Sequence, residues 1–210
     1  MAGRSYGDRV FINCPFDGEY QPLFEALVFA VHDCGFIARC ALEAEDGSQV
    51  RIEKIEQIIA ACRFGIHDIS RTELDAASNL PRFNMPLELG LFLGAKRYGT
   101  GQQRTKQCLI LDREQYRYQK YCSDIAGQDI RAHKGEPFEA VKLVRNWLTN
   151  ATAASNAKIV LPGGAAMAGR YKQFQDEIGE MCNQVRLERD ELQFNDFITL
   201  TVGWLKVNPW

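Results

Sequence analysis

The chain has 210 residues, 46% of them hydrophobic and 25% charged, with a formal net charge of −2. This is the composition of a globular chain with enough apolar residues for a sizeable core, and the near-neutral balance argues against a generic nucleic-acid or membrane-surface binder. Seven scattered cysteines, none in a C-x-x-C pair, argue against a disulfide framework or a zinc site and point to a reducing compartment.

The sequence starts MAGRSYGDR, which is polar and carries no signal-peptide pattern, and no apolar run is long enough for a bilayer. A cytoplasmic protein without membrane contact is expected. RVFIN (Arg9 to Asn13) predicts a first strand. GEYQPLFEALVFAVHDCG predicts a helix, because Leu23, Leu27, Ala30, Val31 and Cys34 recur at spacings of three and four. FIARCAL (Phe36 to Leu42) is the second strand, followed by a polar, glycine-bearing loop, EAEDGS. QVRIEKIEQIIAAC is an amphipathic helix with Ile52, Ile55, Ile58 and Ile59 on one face and Ser48 as its expected N-cap. RFGIHDIS (Arg63 to Ser70) is the third strand.

A long loop then leads to FNMPLELGLFLGA, in which Glu88 is the single charge. This helix is expected to begin near Pro86 with Asn84 as N-cap, which puts Glu88 in the first turn beside the positive end of the helix dipole. Gly90 and Gly94 each cost roughly 1 kcal/mol against alanine in a helix, so a close approach by a backbone or ligand is expected there. QCLILD (Gln107 to Asp112) is a fourth strand, QDIRAH a weaker fifth, and EPFEAVKLVRNWL a closing helix with Pro137 in its first turn.

Strands alternating with helices imply a doubly wound α/β domain with a five-stranded parallel sheet, assigned to residues 1–150. Residues 151–210 are read as a linker, ATAASNA, and a helical hairpin. In its first helix Met167, Tyr171, Phe174, Ile178, Met181 and Val185 are spaced 4, 3, 4, 3 and 4. The second is ELQFNDFITLTVGWLK. The hairpin should pack on the domain or on another subunit.

Ligands of open α/β sheets bind outside the carboxyl ends of the strands. The polar residues expected there are Asn13, with Phe16 beyond it, then Asp46, Asp68, Ser70, Arg71, Asp112 and Arg113, with Glu88 delivered by its loop. No G-x-G-x-x-G follows the first strand, and no G-x-S-x-G is present. His32 and His67 read as structural; His133 is kept as a candidate site residue.

Three segments in order, RVFIN, then LEAEDGSQVRIEKIEQIIAACRFGIHDIS, then FNMPLELGLFLG, resemble a bacterial Toll/interleukin-1 receptor (TIR)-like domain. Its flavodoxin-like core and helical glutamate are shared with nucleoside deoxyribosyltransferases. The resemblance covers roughly Arg9 to Asp112. It implies cleavage of the nicotinamide–ribose bond of NAD, with Glu88 as the catalytic carboxylate. The product would be ADP-ribose, a cyclic isomer or a conjugate. Asn13, Phe16, Asp46 and Ser70 would line the crevice, and Arg71 or Arg113 would meet the pyrophosphate. NAD is then substrate, and no cofactor or metal is expected. The resemblance further implies antiphage defence signalling, with a homo-oligomer or a defence-system partner completing the site. Two alternatives stand beside this. One is a nucleoside N-glycosidase or deoxyribosyltransferase using the same glutamate. The other is a non-catalytic adaptor in which the hairpin, through Phe174 or Ile178, assembles subunits.

Overall fold

In a computed structural model, which describes residues 5–74, 79–153 and 160–210, the chain builds an all-parallel sheet of five strands, ordered β2-β1-β3-β4-β5. The strands are β1 (Arg9–Asn13), β2 (Ile37–Arg39), β3 (Phe64–Asp68), β4 (Gln107–Asp112) and β5 (Ile130–Ala132). Helices α1 (Gln21–Asp33), α2 (Arg51–Ala61), α3 (Asn84–Tyr98) and α4 (Pro137–Thr152) connect or follow them, and α5 (Gly164–Val185) and α6 (Phe194–Val207) close the chain. The expected doubly wound sheet is therefore present. β1 and β4 have the expected bounds, because strands covered on both faces read as continuous apolar runs.

Strand order reverses between β1 and β3, where Asn13 stands opposite His67. On the other side of β3, Asp68 stands opposite Leu111, and Asp112 pairs with Ala132 of β5. The polar residues that end the strands thus share one edge, with the topological switch point between β1 and β3.

One face carries α1 and α4, and α5 and α6 form a further layer over them. Their apolar side chains and those of the sheet make one continuous core, with Tyr171, Phe174 and Trp204 of the C-terminal helices fully buried. Phe29 of α1 stacks on Phe174 at 5.1 Å. Arg189 grips Glu25 of α1 through both guanidinium nitrogens, and Arg170 pairs with Asp33 at 3.0 Å. The hairpin packs on its own domain, and Phe174 and Ile178 face inward. The other face carries α2 and α3 over two smaller clusters, around Phe11 and Phe92 and around Ile69 and Leu89. Between β4 and β5 two short 3-10 turns, Arg117–Lys120 and Ser123–Ile125, stand where a crossover helix would.

Four local expectations are corrected. Helix α2 starts at Arg51 with Val50 before it, because Ser48 turns its hydroxyl and N–H onto Asp46 within the loop. Helix α3 starts at Asn84, so Asn84 is its first residue rather than its cap, and Glu88 falls beyond the first turn. A Cβ at Gly90 or Gly94 would meet nothing within 4 Å, so no close approach exists there among the described residues. The expected linker is helical through Thr152 as part of α4, and its residues 154–157 lie outside the described residues. Among the described residues no helix is long and apolar enough to cross a membrane.

Candidate functional site

Glu88 is placed by how α3 seats on β3. Gly65 in the middle of β3 has no side chain, and the Phe92 ring occupies the space: a Cβ there would lie 2.8 Å from Phe92 and 2.7 Å from His67 Nε2. The start of α3 is pinned separately. Asn13 Nδ2 donates to the Met85 carbonyl at 2.8 Å and to His67 Nδ1 at 3.1 Å. Because one amide nitrogen donates to both, Nδ1 is the unprotonated atom of a neutral imidazole. Burial, then the Lys106 charge, pushes His67 down to about 3, so the ring stays neutral. The end of β1, the end of β3 and the second residue of α3 are tied through one buried side chain.

Glu88 itself is 8% exposed. It lines a crevice of about 200 Å³ between the amino ends of two helices, with Arg51, Ile52 and Ile55 from α2 and Asn84 and Leu87 from α3. Among the described residues no hydrogen bond or ion pair engages its carboxylate. Burial raises the carboxyl to about 7, against a smaller opposing pull from Arg51. Glu88 also reaches electrostatically toward the switch point. The Cys14 thiol, just past β1, is pushed up by burial and then by several negative groups, Asp68 and Glu88 among them.

The neighbouring strand ends are closed. Asp68 is fully buried and accepts from the Tyr20 hydroxyl and the Ser70 N–H, with His133 Nε2 2.9 Å from its Oδ2. Gly135 N–H donates to His133 Nδ1, which leaves the Nε2 proton facing Asp68. At 2.9 Å the two groups lie within ion-pair distance in the buried interior. Burial pushes the Asp68 carboxyl up, but His133, Ser70 and Tyr20 together outweigh it and hold the group below its usual range. Asp112 is likewise buried, accepting from Arg117, from the Arg113 N–H and from the Tyr121 hydroxyl. Arg117 also donates to the Ser70 carbonyl and to Thr72 Oγ1, so it laces β3 to β4. His133 and both aspartates are therefore framework at this edge.

Of the residues expected to form a site, Glu88 alone lines the crevice. Asn13 lies beneath α3 as its tether. Phe16 is half-exposed and meets Phe24 edge-on at 5.4 Å. Asp46 is solvent-exposed and holds Ser48. Ser70 is buried and bonded through its backbone to Asp68 and Arg117. Arg71 is engaged by Glu19 at 2.6 Å and Asp17 at 3.3 Å, and Arg113 pairs with Glu73 at 3.4 Å. Arg51 was not anticipated. It is the first residue of α2, exposed, and among the described residues no carboxylate pairs with it. A larger hollow of about 610 Å³ lies at the opposite, amino ends of β4 and β5, beside Cys108, Asp129 and Trp147. Arg145 lines it but donates to the carbonyls of Leu161 and Pro162. That hollow is remote from the switch point, and the Glu88 crevice is the better site.

No family model matches the chain, and no curated protein matches it in sequence.

Proposed function

We propose that the chain is a TIR-like enzyme that cleaves the nicotinamide–ribose bond of NAD at Glu88. One observation carries the reading: a mostly buried carboxyl without a hydrogen-bond partner among the described residues, raised to about 7, opens into a crevice beside an arginine that no carboxylate pairs with among those residues. Departure of nicotinamide leaves an oxocarbenium-like ribose. A carboxylate held among Ile52, Ile55 and Leu87 stabilises that charge more than it would in water, and it needs no reorganisation to do so. Arg51 supplies a cation for a phosphate of the same substrate, the role that the paired Arg71 and Arg113 cannot fill without breaking ion pairs. At about 200 Å³ the crevice is smaller than pockets that enclose a whole drug-sized ligand, so it takes the nicotinamide-ribose part and leaves the adenosine half outside. The order of the three sequence segments supports the same family. In this reading the product is ADP-ribose, a cyclic isomer or a conjugate, and the biological setting is antiphage signalling.

A second reading, an assembly module, draws on exposed apolar side chains beside the crevice: Phe83 at 67%, Leu87 at 57% and Val50 at 57%. A second copy or a defence-system partner seated there would also complete an open site. The hairpin does not supply such a surface through Phe174 or Ile178, which are used inside the chain.

The deciding experiment is nicotinamide release from NAD by wild type and Glu88→Gln, at low and high protein concentration. Wild-type release lost in the variant is the expected result. Because only the ionised carboxyl stabilises the developing cation, activity should rise with pH through about 7, the value of the carboxyl in the fold. Intact NAD at every concentration would overturn the catalytic reading and favour assembly. Base exchange on nucleosides without NAD cleavage would favour the transferase.

A further inference from the structure

The start of α6 reaches the loop that leads from β2 into α2. Asn195 Nδ2 donates to the Glu43 carbonyl at 3.2 Å. Beside this bond a cleft of about 80 Å³ is walled by Leu42 and Glu45 of the loop, Phe24 of α1, and Leu192, Phe194 and Phe197 of the C-terminal segment. Phe194 lies over Phe24 at 5.8 Å. The end of the hairpin is itself fixed: Gln193 and Asp196 form a reciprocal cap on α6, and Arg189 holds Glu25. On its other side the loop is tied to α2, where Lys54 Nζ donates to the Ala44 carbonyl at 2.6 Å and Gln49 meets Gln57 at 3.2 Å. Arg39 and Glu43 pair across its root. The loop therefore runs between two anchors, α6 and α2, and the residue it delivers to the crevice is Arg51.

We propose that the C-terminal hairpin is a positioning element of the Glu88 crevice: α6 holds the loop between β2 and α2, and through it Arg51, in the conformation that receives the substrate phosphate. The role of Arg51 rests on the NAD reading; the hold of α6 on the loop does not. Asn195 and Leu42 are positioning residues, acting through Arg51 rather than touching substrate. Such an arrangement makes the last two helices part of the site. A chain ending after α4 would lose the loop's outer anchor as well as a core layer.

The test uses the full chain with Asn195→Asp, which replaces the donor by an oxygen facing the Glu43 carbonyl, and Leu42→Ser on the loop side. Both positions are exposed enough for the variants to fold. Two quantities are read: amide hydrogen exchange of residues 42–50, and KM and kcat with NAD. Exchange in 42–50 should quicken about threefold to tenfold, the range spanned by one lost hydrogen bond, while α5 and α6 keep their protection. KM should rise by a similar factor with kcat unchanged, and Asn195→Gln, which keeps a donor, should recover most of both. Unaltered exchange in the loop would overturn the proposal. So would faster exchange with an unchanged KM. A wild type that leaves NAD intact would defeat the Arg51 role together with the NAD reading, while the exchange result would still decide whether α6 holds the loop.

Discussion

The two faces of the sheet are built to different standards. On the α1/α4 side, four helices and the sheet share one continuous apolar core, sealed at its rim by the Glu25–Arg189 and Asp33–Arg170 pairs. On the α2/α3 side the apolar contacts divide into two clusters, the buried His67 Nε2 has no hydrogen-bond partner among the described residues, a carboxyl is raised to about 7, and large side chains such as Phe83 and Leu87 face outward. A thick core on one face supplies stability that the other face does not, and the thin face can then hold groups that are costly to bury.

The sharpest way to break this contrast is to damage the thick side. Phe174→Ala removes a fully buried ring that stacks on Phe29 and meets Phe197 and Trp204 edge-on. The expected loss is about 3–5 kcal/mol, read by denaturant unfolding. A loss below about 1 kcal/mol would mean that α5 and α6 are an appendage rather than a core layer. Next in size is a tightly packed place on the thin side. Gly65→Ala would put a methyl within 3 Å of both His67 and Phe92, two fully buried rings. Overpacking there should cost up to about 3 kcal/mol and shift α3 outward, lowering stability and, on the proposed reading, NAD cleavage as well.

The thick side was largely legible from the chain, because its message is periodicity. Continuous apolar runs gave β1, β3 and β4, and the 4-3-4-3-4 spacing gave α5. What periodicity cannot carry is where helices begin and which charges meet. Ser48 and Asn84 have the chemistry of caps, but Asp46 competes for the first and α3 simply starts at the second. Arg71 and Arg113 read as free cations because Asp17, Glu19 and Glu73, which neutralise them, stand in other loops or turns. Glu88 could be found as a lone carboxylate in an apolar helix. Arg51 could not: at the start of α2, one residue before Ile52, it looks like any solvated charge, and only the convergence of α2 and α3 brings it to Glu88. The glycine signal pointed to the wrong element, since a close approach is found at Gly65 in a strand and, among the described residues, none at Gly90 or Gly94.

Glu88→Gln should sharpen the contrast in the opposite direction, by stabilising the fold. In the unfolded chain the carboxyl ionises near its ordinary value of 4.5, but in the fold only near 7. As pH rises between these values the unfolded state releases its proton first, so wild type loses stability across that window and carries the full penalty above it. The linkage value is about 3 kcal/mol; water reaching the crevice reduces it, and a gain of about 2 kcal/mol for the variant at pH 8 is expected. Below pH 4.5 wild type and variant should unfold alike. A variant no more stable at pH 8 would mean that the carboxyl is hydrated or paired, and that the site carries no such cost.

The smallest expected effect on stability, and the most specific on function, belongs to Arg51→Met. The side chain is exposed at the first residue of α2, where a positive charge faces the positive end of the helix dipole. Its removal should therefore leave unfolding within about 0.5 kcal/mol of wild type. Inside the crevice two consequences follow from the same lost charge. With the guanidinium gone, the Glu88 carboxyl loses a neighbour that favours its ionised form, so on the proposed reading the pH at which nicotinamide release reaches half its maximum should move upward. On the proposed NAD reading the phosphate contact would go as well, so KM for NAD should rise while KM for nicotinamide riboside, which has no phosphate, should not. A parallel rise in both would separate Arg51 from the anion and make it a structural neighbour of Glu88. A rise confined to NAD, together with the alkaline shift, would tie charge, carboxyl and substrate to a single crevice on the thin face.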